Sequence, residues 1–226
     1  MDRAIEPLML IGATALLHSP HALSEQRQAA FDSILYAQLV ANKQAGSRFA
    51  DHESWYRAYR NAYHQLGWIK LAQTHDFKRL GQTLDGSRTQ PLEAWLRMRS
   101  IKHEAVLAAV KAKLSGSAEG FAHLFKYAVQ GNRVAVEIGV LKPGPVLDLC
   151  SITLQREAAL PHIGLDALLC EQLLGGEIEF YGVSLALDNG RFKSKRDELR
   201  ALMKDRDAQG AWCFDLGAGA AGGEHG

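Results

Sequence analysis

Arg133-Val134-Ala135-Val136-Glu137-Ile138-Gly139-Val140, then Lys142-Pro143-Gly144-Pro145 and the run Val146–Arg156, decide the reading of this chain. Val134, Val136, Ile138 and Val140 alternate with smaller or polar residues, the period of a half-buried strand. The Pro-Gly-Pro segment is a turn, so the two runs form an antiparallel hairpin. A third strand is expected over Glu177–Leu187, with a bulge near Gly182 where the apolar parity shifts from Ile178/Phe180 to Val183/Leu185/Leu187. Asp188-Asn189-Gly190 carries the signal of a tight turn, which would open a fourth strand at Arg191–Lys193. Between these lies a short helix over Gly164–Leu174. A last helix is expected from an N-cap at Ser194 through Leu199, Leu202 and Met203.

Ahead of this region the period is helical. Ser24–Lys43 places Phe31, Leu35 and Leu39 on one face, with Gly46 as the stop. Asp51–Leu66 aligns Trp55, Tyr59, Ala62 and Leu66, with Tyr56 and Tyr63 beside them. Trp68–Ala72 reads as a short strand, and the loop between Gly81 and Gln90 as the most exposed. Pro91–Leu114 reads as one long helix with proline at its first position. A shorter helix carrying Phe121, Leu124, Phe125 and Ala128 closes at Gly131. The expected class is α+β: a mainly helical stretch, residues 1–131, packed on a small antiparallel ββαββ sheet and C-terminal helix, residues 132–226, as one continuous domain.

Composition excludes several classes. The chain has 226 residues, is 47% hydrophobic and 23% charged, and balances 26 Lys+Arg against 25 Asp+Glu for a net +1. That is an ordinary globular balance with no global field toward nucleic acid or anionic lipid. Cys150, Cys170 and Cys213 lack metal or disulfide spacing, and the first two, among leucines and valines, read as small buried hydrophobes. The apolar run Leu8–Leu17 is too short to span a bilayer, which needs about 20 residues. It is either the core of a secretion leader or a buried helix. Asp2, Arg3 and Glu6 before it lack a leader's positive charge, so a cytoplasmic protein is expected, a secreted one being the alternative.

Motifs that carry chemistry are few. After a strand at Trp212–Leu216, Gly217, Gly219 and Gly222 match a dinucleotide fingerprint, but neither a following helix nor an acidic residue about 20 positions on supports it. No cofactor is expected. His18 and His21 have ligand spacing that Pro20 spoils; His75-Asp76 and His52-Glu53 stand without further support, so no metal site is assigned. Glu177 and Glu179 read as a polar strand face. Arg99 and His103 fall inside the apolar stripe of the Pro91–Leu114 helix, one turn apart. A guanidinium there needs a carboxylate or carbonyls, with Asp148 and Glu137 as candidate partners. The same two residues are the candidate catalytic pair, Arg99 as anion clamp and His103 as acid/base.

Trp55, Tyr56, Tyr59 and Tyr63 are expected to form an aromatic interface patch, while Arg57, Arg60 and His64 make a basic stripe on the opposite side. That separation speaks against nucleic acid, whose single-strand binders put both in one groove. The leading expectation is a non-enzymatic binding or self-assembly protein with a homo-oligomeric or protein partner. The alternatives are a secreted membrane-active protein, and a small hydrolase or transferase using Arg99 and His103.

Overall fold

The computed structural model describes residues 7–80, 90–155, 176–208 and 212–217. Most of the loop expected after Gly81, the helix Gly164–Leu174, Cys170, Gly219 and Gly222 lie outside the described residues.

The run Leu8–Leu17 is not a helix. It is a hairpin of β1 (Leu8–Ile11) and β2 (Thr14–His18), nearly every residue of which is buried. Gly12 makes the turn with φ +53°, and a Cβ there would run into Gln38 Oε1. Two helices follow, α1 (Ser24–Ala45) and α2 (His52–Gln65), the second capped by Asp51, whose carboxylate accepts from Ser54 N–H at 3.0 Å. The short strand expected at Trp68 is in fact β3 (Trp68–Leu80), 13 residues long.

The long helix expected over Pro91–Leu114 is broken into α3 (Gln90–Met98) and α4 (His103–Ser115). Ser100 takes a left-handed φ of 58°, with Ser100 N–H donating to Arg97 O at 3.0 Å and Ile101 N–H to Leu96 O at 2.8 Å. That pair of bonds is a Schellman stop with serine where glycine is usual. The chain then forms α5 (Ala118–Ala128), a two-residue β4 (Val129–Gln130), β5 (Arg133–Lys142), β6 (Val146–Gln155) and β7 (Gly176–Leu187). Asp188-Asn189-Gly190 does not turn into a fourth strand. Asp188 Oδ1 accepts from the N–H groups of Gly190 and Arg191 at 2.9 and 3.2 Å, starting α6 (Asn189–Ala208). The side chain that favours a turn also favours an N-cap, and here it caps. Strand β8 (Cys213–Leu216) ends the described chain.

All eight described strands form one mixed sheet, ordered β3-β7-β6-β5-β2-β1-β8 with β4 beside β5. Pairing is antiparallel except between β2 and β5. The class is α+β, but the expected split between a helical stretch at 1–131 and a sheet stretch at 132–226 is not how the layers form. Strands from both stretches share the sheet, and helices cover both faces. One core gathers α3–α5 against Val134, Val136, Ile138, Cys150, Ile152, Ile178 and Phe180. The other gathers α1, α2 and α6 against Leu141, Leu147, Leu149, Tyr181, Val183 and Leu185.

This double cover explains the parity shift in β7. The register with β6 runs unbroken from Glu177 to Ala186, so there is no bulge at Gly182. Ile178 and Phe180 face one helical layer, Val183 and Leu185 the other. The register irregularity lies instead in β3, between Lys70 and Ala72.

Candidate functional site

Register brings five polar side chains into a row across the sheet. Thr14 on β2 pairs with Glu137 on β5, Glu137 with Ser151 on β6, Ser151 with Tyr181 on β7, and Tyr181 with His75 on β3. They share the face covered by α2, because partners directly opposite in a ladder point the same way. Helix α2 lays Tyr56, Tyr59 and Tyr63 over this row.

The inner end is sealed. Glu137 Oε1 accepts from Thr14 Oγ1 at 2.9 Å and from Tyr59 OH at 2.7 Å. Tyr59 and Tyr63 hydroxyls are 2.8 Å apart; with Tyr59's proton on Glu137, Tyr63 is the donor. Gln38 Nε2 donates to Ile11 O at 2.8 Å and Thr14 Oγ1 at 2.9 Å, while Gln38 Oε1 accepts from Arg48 Nη2 at 2.9 Å. The Arg48 guanidinium also sits 4.2 Å over the Trp55 ring. Burial pushes Glu137 above the usual carboxylate range, opposed by its bonds from Tyr59 and Thr14 and by Arg48. Burial likewise lowers Arg48 to about 10, and drives all three tyrosines upward. A buried carboxylate and guanidinium linked through neutral side chains hold the α1–α2 layer to the sheet by directional bonds.

The outer end opens. A cavity of about 300 Å³ lies between the Arg48–Glu53 turn and the ends of β5, β6 and β7, lined among others by His52, Arg133, Thr153, Gln155, Glu177 and Glu179. Arg133 closes one side by donating to the Phe49 carbonyl. His52 stands in its wall among rings, 6.0 Å from Trp55, 5.9 Å from Tyr56 and 5.4 Å from Tyr181. Both its nitrogens are buried and neither makes a well-aligned hydrogen bond, the Arg48 backbone being the polar group that acts on the ring. Desolvation, then repulsion from Arg48, lowers its pKa to about 4, the Arg48 backbone and Asp51 opposing.

On the far side of the Tyr56–Tyr181 ridge is a second cleft of about 340 Å³, between Glu53, Arg57 and Arg60 of α2 and Gln73, His75 and Tyr181 of the sheet. His75 stacks on Tyr181 at 4.4 Å and 11°, and its Nε2 is 2.7 Å from Glu179 Oε1. Tyr181 OH donates to the same oxygen at 2.7 Å. Burial, then these contacts with Glu179, raise the Tyr181 hydroxyl's pKa.

The residues singled out from sequence fall elsewhere or play other roles. Arg99 Nε meets Asp148 Oδ1 at 3.0 Å on the opposite sheet face, and Lys142 Nζ is 2.8 Å from Asp148 Oδ2. Lys142 Nζ also donates to the Arg99 carbonyl at 2.6 Å, so this is an ion cluster pinning α3 to the sheet. His103 opens α4, beyond the Ser100 break, so the continuous helix that set it one turn from Arg99 does not exist. Its side chain lies outside the described residues. Trp55, Tyr56, Tyr59 and Tyr63 are at most 2% exposed, covered by the chain's own α1 and sheet. They make a core seam within one chain and not a surface patch. Arg60 lies 5.2 Å over the Tyr56 ring, so cation and aromatic do meet, contrary to the separation read from the helix alone. His18 is buried and His21 exposed; among the described residues no group of three or more His, Cys, Asp or Glu could hold a metal ion. No described helix is long and apolar enough to cross a membrane.

Sequence pattern does not single out Thr14, Gln38, Arg48 or Tyr181, and offers Glu137 only as a partner for Arg99. The one signal for the row is Glu137 itself, an acid inside an otherwise apolar strand.

No family model matches this chain, and no curated protein matches it. Among solved structures, that of the Evf virulence factor aligns over 85% of this chain and 82% of its own, at 12% identity and a TM-score of 0.35, a likeness too slight to carry a conclusion.

Proposed function

We propose that this chain is a non-enzymatic binding protein whose small polar ligand enters the cavity beside the Arg48–Glu53 turn. The observation that carries this is His52, an imidazole in the cavity wall whose desolvated nitrogens make no well-aligned hydrogen bond, only the Arg48 backbone acting on the ring. Such groups cost about 1–3 kcal/mol each. A ligand offering one donor and one acceptor recovers that cost, which favours amides and hydroxylated compounds. Binding is favoured over acid–base catalysis because a base with a pKa of about 4 is weak at neutral pH.

The test is a screen of amide and polyol fragments by thermal shift and by nuclear magnetic resonance of the histidine rings. Binders should move the His52 ring signals and raise the melting temperature of the wild type. His52→Phe keeps the ring stack and should lose both effects. If no fragment separates the two proteins, the reading fails.

Self-association is a second reading, favoured by β3. Among the described strands it lies at the sheet margin, with Ile69 and Leu71 exposed. An open edge with apolar residues invites a second strand. Light scattering that gives a dimer mass for wild type and a monomer mass for Leu71→Lys supports it; a wild-type monomer overturns it.

A further inference from the structure

We infer that the cleft between α2 and the β3–β7 margin is an oxyanion site, taking the phosphate or carboxylate group of a ligand on Arg60 and Lys70. Arg60 Nη1 and Lys70 Nζ donate to the same oxygen, Gln73 Oε1, at 3.0 and 2.9 Å. Two cations therefore converge on one neutral amide. Among the described residues no carboxylate pairs with either. The other charges of the cleft are matched: Arg57 with Glu53 at 2.9 Å, and His75 with Glu179 at 2.7 Å.

A second observation points the same way. Arg60 Nε is buried with no acceptor. Its guanidinium lies over Tyr56, so one of its N–H groups is desolvated and unspent. The guanidinium fork matches two oxygens of a carboxylate or phosphate, and the adjacent ammonium adds a point charge. An oxyanion would supply the missing acceptor and relieve the repulsion between two cations that share a neutral partner. The cleft of about 340 Å³ has room for such a group with the rest of a small ligand behind it. This site stands apart from the His52 cavity and does not depend on that cavity holding a ligand.

The experiment is a titration of the full chain with inorganic phosphate and, separately, with acetate. Ionic strength is held constant with sodium chloride, and the Arg60 Nε–H signal is followed by nuclear magnetic resonance. A saturable shift is expected for at least one anion. Tighter phosphate binding assigns a phosphate-bearing ligand, and tighter acetate binding a carboxylate. Arg60→Gln, followed calorimetrically, and Lys70→Gln should each weaken binding by about tenfold or more. Gln73→Glu places a carboxylate between the two cations, so it should abolish anion binding while raising the melting temperature. Shifts no larger than chloride produces, or phosphate and acetate binding that Gln73→Glu leaves intact, would overturn the site.

Discussion

At the scale of single residues, His52 makes stability depend on pH with a definite sign. Its folded pKa of about 4 lies below the ordinary value of 6.5. Between those values the unfolded chain binds the proton and the folded one does not. The contribution is fully present above pH 6.5 and is lost as pH falls toward 4, amounting to about 3 kcal/mol. His18 and His123 are also lowered by burial and act in the same sense. Glu137 acts oppositely: its raised pKa makes its contribution fall as pH rises above the ordinary 4.5. A variant is therefore needed to isolate His52. Urea unfolding at pH 7 and pH 4 should show wild type losing about 3 kcal/mol more than His52→Phe on acidification. Parallel losses would refute the assignment. None of this is legible in His52-Glu53 as a pair, because the ring is buried against Tyr181, on a strand far along the chain, and is repelled by the charge of Arg48.

Elements show how a correct signal can be given the wrong cause. The parity change in β7 is plain in the sequence, and so is the glycine beside it. A bulge is one cause; a change of helical cover is another, and only the second fits the unbroken register with β6. Gly182 is needed for a different reason: a Cβ there would stand 2.6 Å from Trp95 Cδ2 and 2.7 Å from Thr74 Cγ2. The indole of α3 lies against strand backbone, and a rigid ring cannot yield as a flexible chain end can. Gly182→Ala should cost about 1–3 kcal/mol in chemical denaturation. In a Trp95→Leu background the same change should cost at least about 1 kcal/mol less, since contacting sites couple. Equal costs in both backgrounds would mean that Trp95 is not what Gly182 accommodates. The α3–α4 break shows the reverse case. Its apolar stripe resumes after Ser100, so the pattern reads through a stop that glycine would have announced.

For the whole molecule, the sheet depends on its two ends in sequence meeting. Strand β8 pairs with β1 along Leu8–Ile11, and Gly12 N–H donates to Trp212 O at 2.7 Å. Leu8, Leu10 and Ile11 are fully buried. Deleting residues 212–226 would leave β1 as an open apolar edge, the arrangement that natural sheets avoid. The shortened protein should gain mass by light scattering and melt lower. A truncated chain that stays at its wild-type mass and stability would show that β8 is dispensable cover.

Local sequence was enough for the α+β class, the helices at Ser24 and Asp51, the β5–β6 hairpin and the strand at Glu177, because each rests on a nearby period or cap. It was also enough to require an acceptor for Arg99, since a desolvated guanidinium without one is costly. Packing between distant segments was needed to turn Leu8–Leu17 into two buried strands, because a short apolar run fits a hairpin or a helix equally well until it has neighbours. The same packing aligned Thr14, Glu137, Ser151, Tyr181 and His75, residues from five strands whose common face is set by register. Register is a property of pairs of strands, and no single stretch of chain contains it.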